Sequence, residues 1–106
     1  MRQLRPTPAA EAAAAQAWQL LQTLPVPVGL PDFATPAFSE RGLRFILSIA
    51  RQYAEGCDFS CAELAAAGHR AAVAAAMRYR TEPGLYEQFG AWWVRQGVLG
   101  MVGGNG

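Results

Sequence analysis

The sequence predicts an all-α fold, a small orthogonal bundle of four to five helices with a proline-rich connector. Three observations carry this. Four segments repeat apolar residues at intervals of three and four, the spacing that lines one helix face. No segment alternates β-branched and polar residues over the length of a strand. Thr7-Pro8 and Ser60-Cys61-Ala62-Glu63 are helix-start signals. A chain of 106 residues makes one domain, 1–106, with room for a single core.

The N-terminal helix spans 8–24. Thr7 supplies the cap, Pro8 the first helical position, and Ala10, Ala14, Ala17, Trp18 and Leu21 an apolar stripe. Gln16, Gln19 and Gln22 lie on other faces, and Pro25 stops the helix near Leu24. The connector, 25–36, holds four prolines and is expected to be irregular. Its Val26, Val28, Leu30 and Phe33 are too apolar for a free linker, so it is expected to lie packed along the body, 37–106.

The second helix is expected from about Pro36 to Glu55, with Thr35 or Ser39 as cap and Gly56 as the left-handed exit. Leu43, Ile46, Leu47, Ala50 and Tyr53 follow the helical period closely, which makes it the candidate central helix. In the next helix Ser60 and Glu63 form a capping box, with Phe59 and Leu64 placed as a hydrophobic staple. Gly68 is expected to break or kink that segment. Helix then resumes from Arg70 to about Arg80, with Val73, Ala76 and Met77 inward. Thr81-Glu82-Pro83-Gly84 turns the chain into the last helix, Leu85 to Gln96, closed by Gly97. The tail beyond Gly97 pairs briefly as a strand or hairpin, or frays.

Composition narrows the function. A hydrophobic share of 52% with 16% charge excludes a disordered polyelectrolyte. All nine basic residues are Arg, yet the formal net charge is only +1, where nucleic-acid binders usually show a basic face. The one acid-free basic stretch holds His69, Arg70, Arg78 and Arg80. No run approaches a membrane span, and Met1-Arg-Gln-Leu-Arg-Pro6 does not resemble a signal-peptide core, so a cytoplasmic protein with no membrane partner is expected. In that compartment Cys57 and Cys61 are expected as free thiols. Together with His69 they leave a zinc site one ligand short, because Glu63 is engaged in the capping box. No metal and no cofactor are expected. A Cys/His catalytic pair lacks any signalled orienting acid or oxyanion site, so His69 is read as a polar cap after Gly68 and the protein as no enzyme.

The last helix is the most informative segment. It sets Leu85, Tyr86, Phe89, Trp92 and Trp93 on one arc, with Arg95 beside the tryptophans and Val94 almost opposite. A helical aromatic stripe often serves as core. Here its breadth competes for interior space with Trp18, Phe33, Phe38, Phe45 and Tyr53. Tyr86, Phe89, Trp92, Trp93 and Arg95 are therefore the expected partner-binding residues, facing another protein or a second copy in a homodimer.

Two resemblances add to this. Glu63-Leu-Ala-Ala-Ala-Gly-His69 resembles the first helix and turn of a helix-turn-helix, and Trp93-Val-Arg-Gln-Gly-Val-Leu99 the helix-to-wing junction of winged-helix regulators. That likeness implies DNA binding, either through Arg70, Arg78 and Arg80 or through a recognition helix at Pro83–Gln96. In overall character the chain is similar to the small QslA-type quorum-sensing antiactivators of pseudomonads. The similarity rests on length, on the Lys-free, Ala- and Arg-rich composition, and on the order from Met1-Arg-Gln-Leu-Arg-Pro6 to the Trp92-Trp93 helix. It implies a non-enzymatic protein that binds the ligand-binding domain of a LuxR-type transcription factor and blocks its dimerisation and DNA binding.

Overall fold

The computed structural model describes residues 7–103, which form four α-helices and one 3₁₀ helix; the described residues contain no strand. The six residues before Thr7 and the three after Gly103 lie outside them. Helix α1, Pro8–Thr23, begins where the sequence places it, with Thr7 Oγ1 accepting from the Ala10 N–H at 3.0 Å. Ala14, Ala17 and Leu21 form its buried stripe. Trp18 is half-buried, and the Arg44 guanidinium lies 4.3 Å from its ring centroid.

The connector departs from expectation twice. Val26 and Val28 are exposed instead of packed. Pro25 and Pro27 line a cleft against α3 but are themselves exposed, so this stretch runs along the surface with its valines in solvent. The second half is not irregular. Asp32–Phe38 winds into the 3₁₀ helix, which ends on Ser39.

That helix delays α2, which runs Glu40–Ala54 and not from Pro36; of the two candidate caps, Ser39 is used. Leu43, Ile46, Leu47, Ile49 and Ala50 are buried, and Gly56 at φ +84° supplies the left-handed exit. A Cβ on Gly42 would run into the Ala37 carbonyl, so glycine here lets the 3₁₀ helix fold back on the first turn of α2.

Helix α3, Cys61–Arg78, opens on the expected capping box. Glu63 N–H donates to Ser60 Oγ at 3.0 Å, and Ser60 N–H to Glu63 Oε1 at 2.8 Å. Replacing Ser60 by Ala removes the acceptor of the Glu63 N–H at the start of α3 and is expected to cost about 1 kcal/mol in reversible urea unfolding. A change near zero would show that the box contributes nothing. Leu64 is buried as the staple expects, while Phe59 stays partly exposed.

Three expectations for α3 and its surroundings are corrected. First, the helix is unbroken at Gly68. A Cβ there would lie 2.9 Å from Ile46 Cγ2 and 3.3 Å from Val98 Cγ2, so the glycine serves close packing and not a bend. Second, α3 and not α2 is central, packing against α1, α2 and α4. Its alanines let neighbours approach from several sides, so Leu64, Ala65, Ala67, Ala72, Ala75 and Ala76 are all buried. Third, Met77 is exposed, while Ala72, Ala75 and Ala76 take the buried positions of that stretch.

Helix α4, Pro83–Val102, passes straight through Gly97. The expected stop at Gly97, and the strand, hairpin or frayed tail after it, are overturned as far as Gly103. A Cβ at Gly97 would lie 2.5 Å from Ala71 Cβ and 3.2 Å from the Ala67 carbonyl oxygen. Gly97 therefore marks a close approach of α4 to α3. Val98 beyond it is fully buried, and Met101 and Val102 pack partly against the core, which keeps the last turn helical.

Candidate partner-binding face

Helix α4 has two apolar sides. Val94 and Val98 turn inward with Gly97 on the α3 side, and α2 also packs against α4. Leu85, Phe89 and Trp92, spaced four and three apart, share the opposite face. They are 36%, 36% and 55% exposed, and Trp92 is the most open aromatic residue of the described chain. The indole thus offers its surface to solvent with no neighbouring element to cover it.

The sequence-derived set divides here. Phe89 and Trp92 belong to the outer ridge, joined by Leu85. Trp93 sits on the flank, half-buried, and its Nε1–H donates to Tyr79 Oη at 3.2 Å. Tyr79 stacks against Phe89 with centroids 6.3 Å apart and meets Trp93 edge-on at 6.1 Å. Tyr79 is the residue that sequence reasoning missed. The short link Tyr79–Glu82 makes α3 and α4 antiparallel neighbours, which brings the end of one against the first turns of the other. Tyr86 turns away from the ridge, its ring 5.2 Å from Phe33 of the 3₁₀ helix, and burial pushes its phenol upward. Arg95 does not stack on the tryptophans. Its guanidinium lies 5.8 Å from the Phe45 ring on α2 while the side chain stays exposed.

The basic residues do not converge on a groove. Arg70 is exposed in the middle of α3, Arg78 lies 5.6 Å over Tyr79, and Arg80 Nη1 donates to the Met77 carbonyl at 3.2 Å. The continuous α3 removes the turn expected at Gly68, and the continuous α4 turns the expected helix-to-wing junction into helix interior.

His69 is not a cap. It is 5% exposed inside α3, its ring meets Phe38 edge-on at 5.3 Å, and Nε2 has no hydrogen-bond partner. Helix continuity at Gly68 carries it into the packed region. Burial holds the imidazole below its usual 6.5. The unfolded chain therefore takes up a proton that the folded chain refuses. Stability is expected to be flat above about pH 6.5 and to fall below it, by at most ~1.4 kcal/mol per pH unit. Urea unfolding from pH 8 to pH 5 measures this, and His69→Phe should remove the slope. Equal slopes in both proteins would place its cause elsewhere.

Cys61 is buried, and burial raises its thiol against the weaker opposing pull of Arg51, the reverse of an activated nucleophile. Cys57 Sγ lies 3.5 Å from the Phe59 carbonyl oxygen, and both thiols are free. Among the described residues no three His, Cys, Asp or Glu side chains gather as metal ligands. No described helix is long and apolar enough to cross a membrane.

Fold and site together define a small all-helical protein whose last helix carries an uncovered aromatic ridge. No protein-family model, curated protein or solved structure matches the chain.

Proposed function

We propose that this chain is a non-enzymatic regulatory protein that binds another protein through the Leu85–Phe89–Trp92 ridge of α4. The observation that carries the reading is the exposure of Trp92, 55%, on the side of α4 opposite its buried valines. Large aromatic side chains supply most of the energy at protein interfaces, and an exposed one in a small domain marks where a partner recovers that surface. Following the resemblance to quorum-sensing antiactivators, the partner is the ligand-binding domain of a LuxR-type transcription factor. A ridge seated on its dimer surface withdraws monomers by mass action, and the factor loses its grip on DNA. Arg95, exposed and one step around α4 from Trp92, sets register more than affinity, while Glu87 lies on the Val94 side, away from the ridge.

The test is a tagged pull-down from the native cell after nuclease treatment, with the recovered protein then titrated against the purified chain. Recovery of a transcription factor whose dimer dissociates on titration is the expected result. The opposing outcome is retention of duplex DNA alone. In that case Arg70→Ala, Arg78→Ala and Arg80→Ala would each weaken duplex binding, with affinity falling steeply as salt rises.

A further inference from the structure

A second concave surface lies away from the α4 ridge, between the extended connector and α3. It is a cleft of about 350 Å³ whose walls include Leu24, Pro25 and Pro27 on one side and His69, Arg70 and Val73 on the other. A volume near 300 Å³ is the lower end of small-molecule sites. The aliphatic walls suit an apolar body. Proline brings no N–H, so Pro25 and Pro27 offer no donor to a polar ligand on their side.

The polar groups are confined to α3. His69 is 95% buried yet Nε2 makes no hydrogen bond, and a buried polar atom without a partner costs about 1–3 kcal/mol. Arg70, next in sequence and exposed, carries a guanidinium with no salt bridge among the described residues. An imidazole N–H and a guanidinium both donate, and both fit one acceptor group: a carboxylate.

We propose that this cleft binds a free carboxylic acid with a short apolar body, its carboxylate paired with Arg70 and hydrogen-bonded to the His69 imidazole. The chain holds only one histidine, so its ring nitrogens report on the site without ambiguity. Burial keeps that imidazole neutral near pH 7, and an adjoining carboxylate would oppose the effect by favouring the imidazolium. The site is independent of the ridge on α4, and neither reading needs the other.

The experiment titrates the full chain with octanoate, with 1-octanol as the uncharged analogue and acetate as the headgroup alone. Imidazole ¹⁵N shifts give the site and their titration curves the affinity. Octanoate is expected to move both ring nitrogens in a saturable way, at least tenfold more tightly than 1-octanol or acetate. Arg70→Gln, at an exposed position that leaves the core intact, should weaken octanoate at least tenfold and leave 1-octanol unchanged. Val73→Trp should fill the cleft and abolish both. Three results would each overturn the proposal: ring nitrogens that do not move, 1-octanol binding as tightly as octanoate, or unchanged octanoate binding in Arg70→Gln.

Discussion

Gly97→Leu is expected to lose at least ~3 kcal/mol of stability, a large part of what a domain of this size holds. The reason is geometric. Even a methyl group at position 97 would stand 2.5 Å from Ala71 Cβ and 3.2 Å from the Ala67 carbonyl oxygen. Neither neighbour is the mobile end of a long side chain, so α4 itself would have to move off α3. Gly97→Ala sets two effects against each other. Alanine gains about 1 kcal/mol of helix propensity over glycine, while overpacking costs about 1–3 kcal/mol. The contact should win, with a net loss of about 1 kcal/mol. Gly100→Ala is the control, because nothing lies within 4 Å of a Cβ there. It should stabilise by about 0.5–1 kcal/mol through propensity alone. Denaturant unfolding of these variants measures both signs. In an Ala71→Gly background the cost of Gly97→Ala should shrink, since its closest obstacle is gone. A stabilised Gly97→Leu, or Gly97→Ala and Gly100→Ala shifting alike, would show that the helices are not held this close.

Trp92→Ala is expected to weaken partner binding by 2 kcal/mol or more, roughly thirtyfold, while changing folding stability by less than about 1 kcal/mol. An exposed indole has few internal contacts to lose. Trp93→Ala separates the two roles. Trp93 is half-buried, donates to Tyr79 Oη and meets the Tyr79 ring edge-on, so its removal should cost about 2 kcal/mol of folding stability. Phe89→Ala should fall between them, being exposed yet stacked on Tyr79. Each variant needs two measurements, unfolding alone and titration with the recovered partner. Partner affinity unchanged by Trp92→Ala would remove the ridge from the interface. Loss of function in the Arg70, Arg78 and Arg80 variants alone would then favour nucleic acid.

The stripe of α2, the Thr7 cap and the Ser60–Glu63 box were legible in the sequence because each depends on residues three or four apart. The all-α class follows from the same local rules, as does the breadth of the aromatic arc on α4. How that arc divides was not legible. Helical periodicity puts Tyr86, Phe89, Trp92 and Trp93 near one another, but only the positions of Phe33, Tyr79 and α2 decide which of them is covered. Val94, almost opposite the arc, is the buried side for the same reason.

The glycines show the boundary most sharply. By itself the sequence determined that Gly56 ends a helix, since left-handed backbone after a helical run is a local demand. Gly68 and Gly97 carry the same letter and look like the same punctuation. Their helices continue because Ile46, Ala71 and Val98, distant in sequence, close to distances that leave no room for a Cβ. Propensity at one glycine is worth about 1 kcal/mol, and the packing of a whole helix face is worth several times that. Local chemistry therefore set where these helices begin, and tertiary contact decided where they did not end. The same continuity buried His69 beside Phe38.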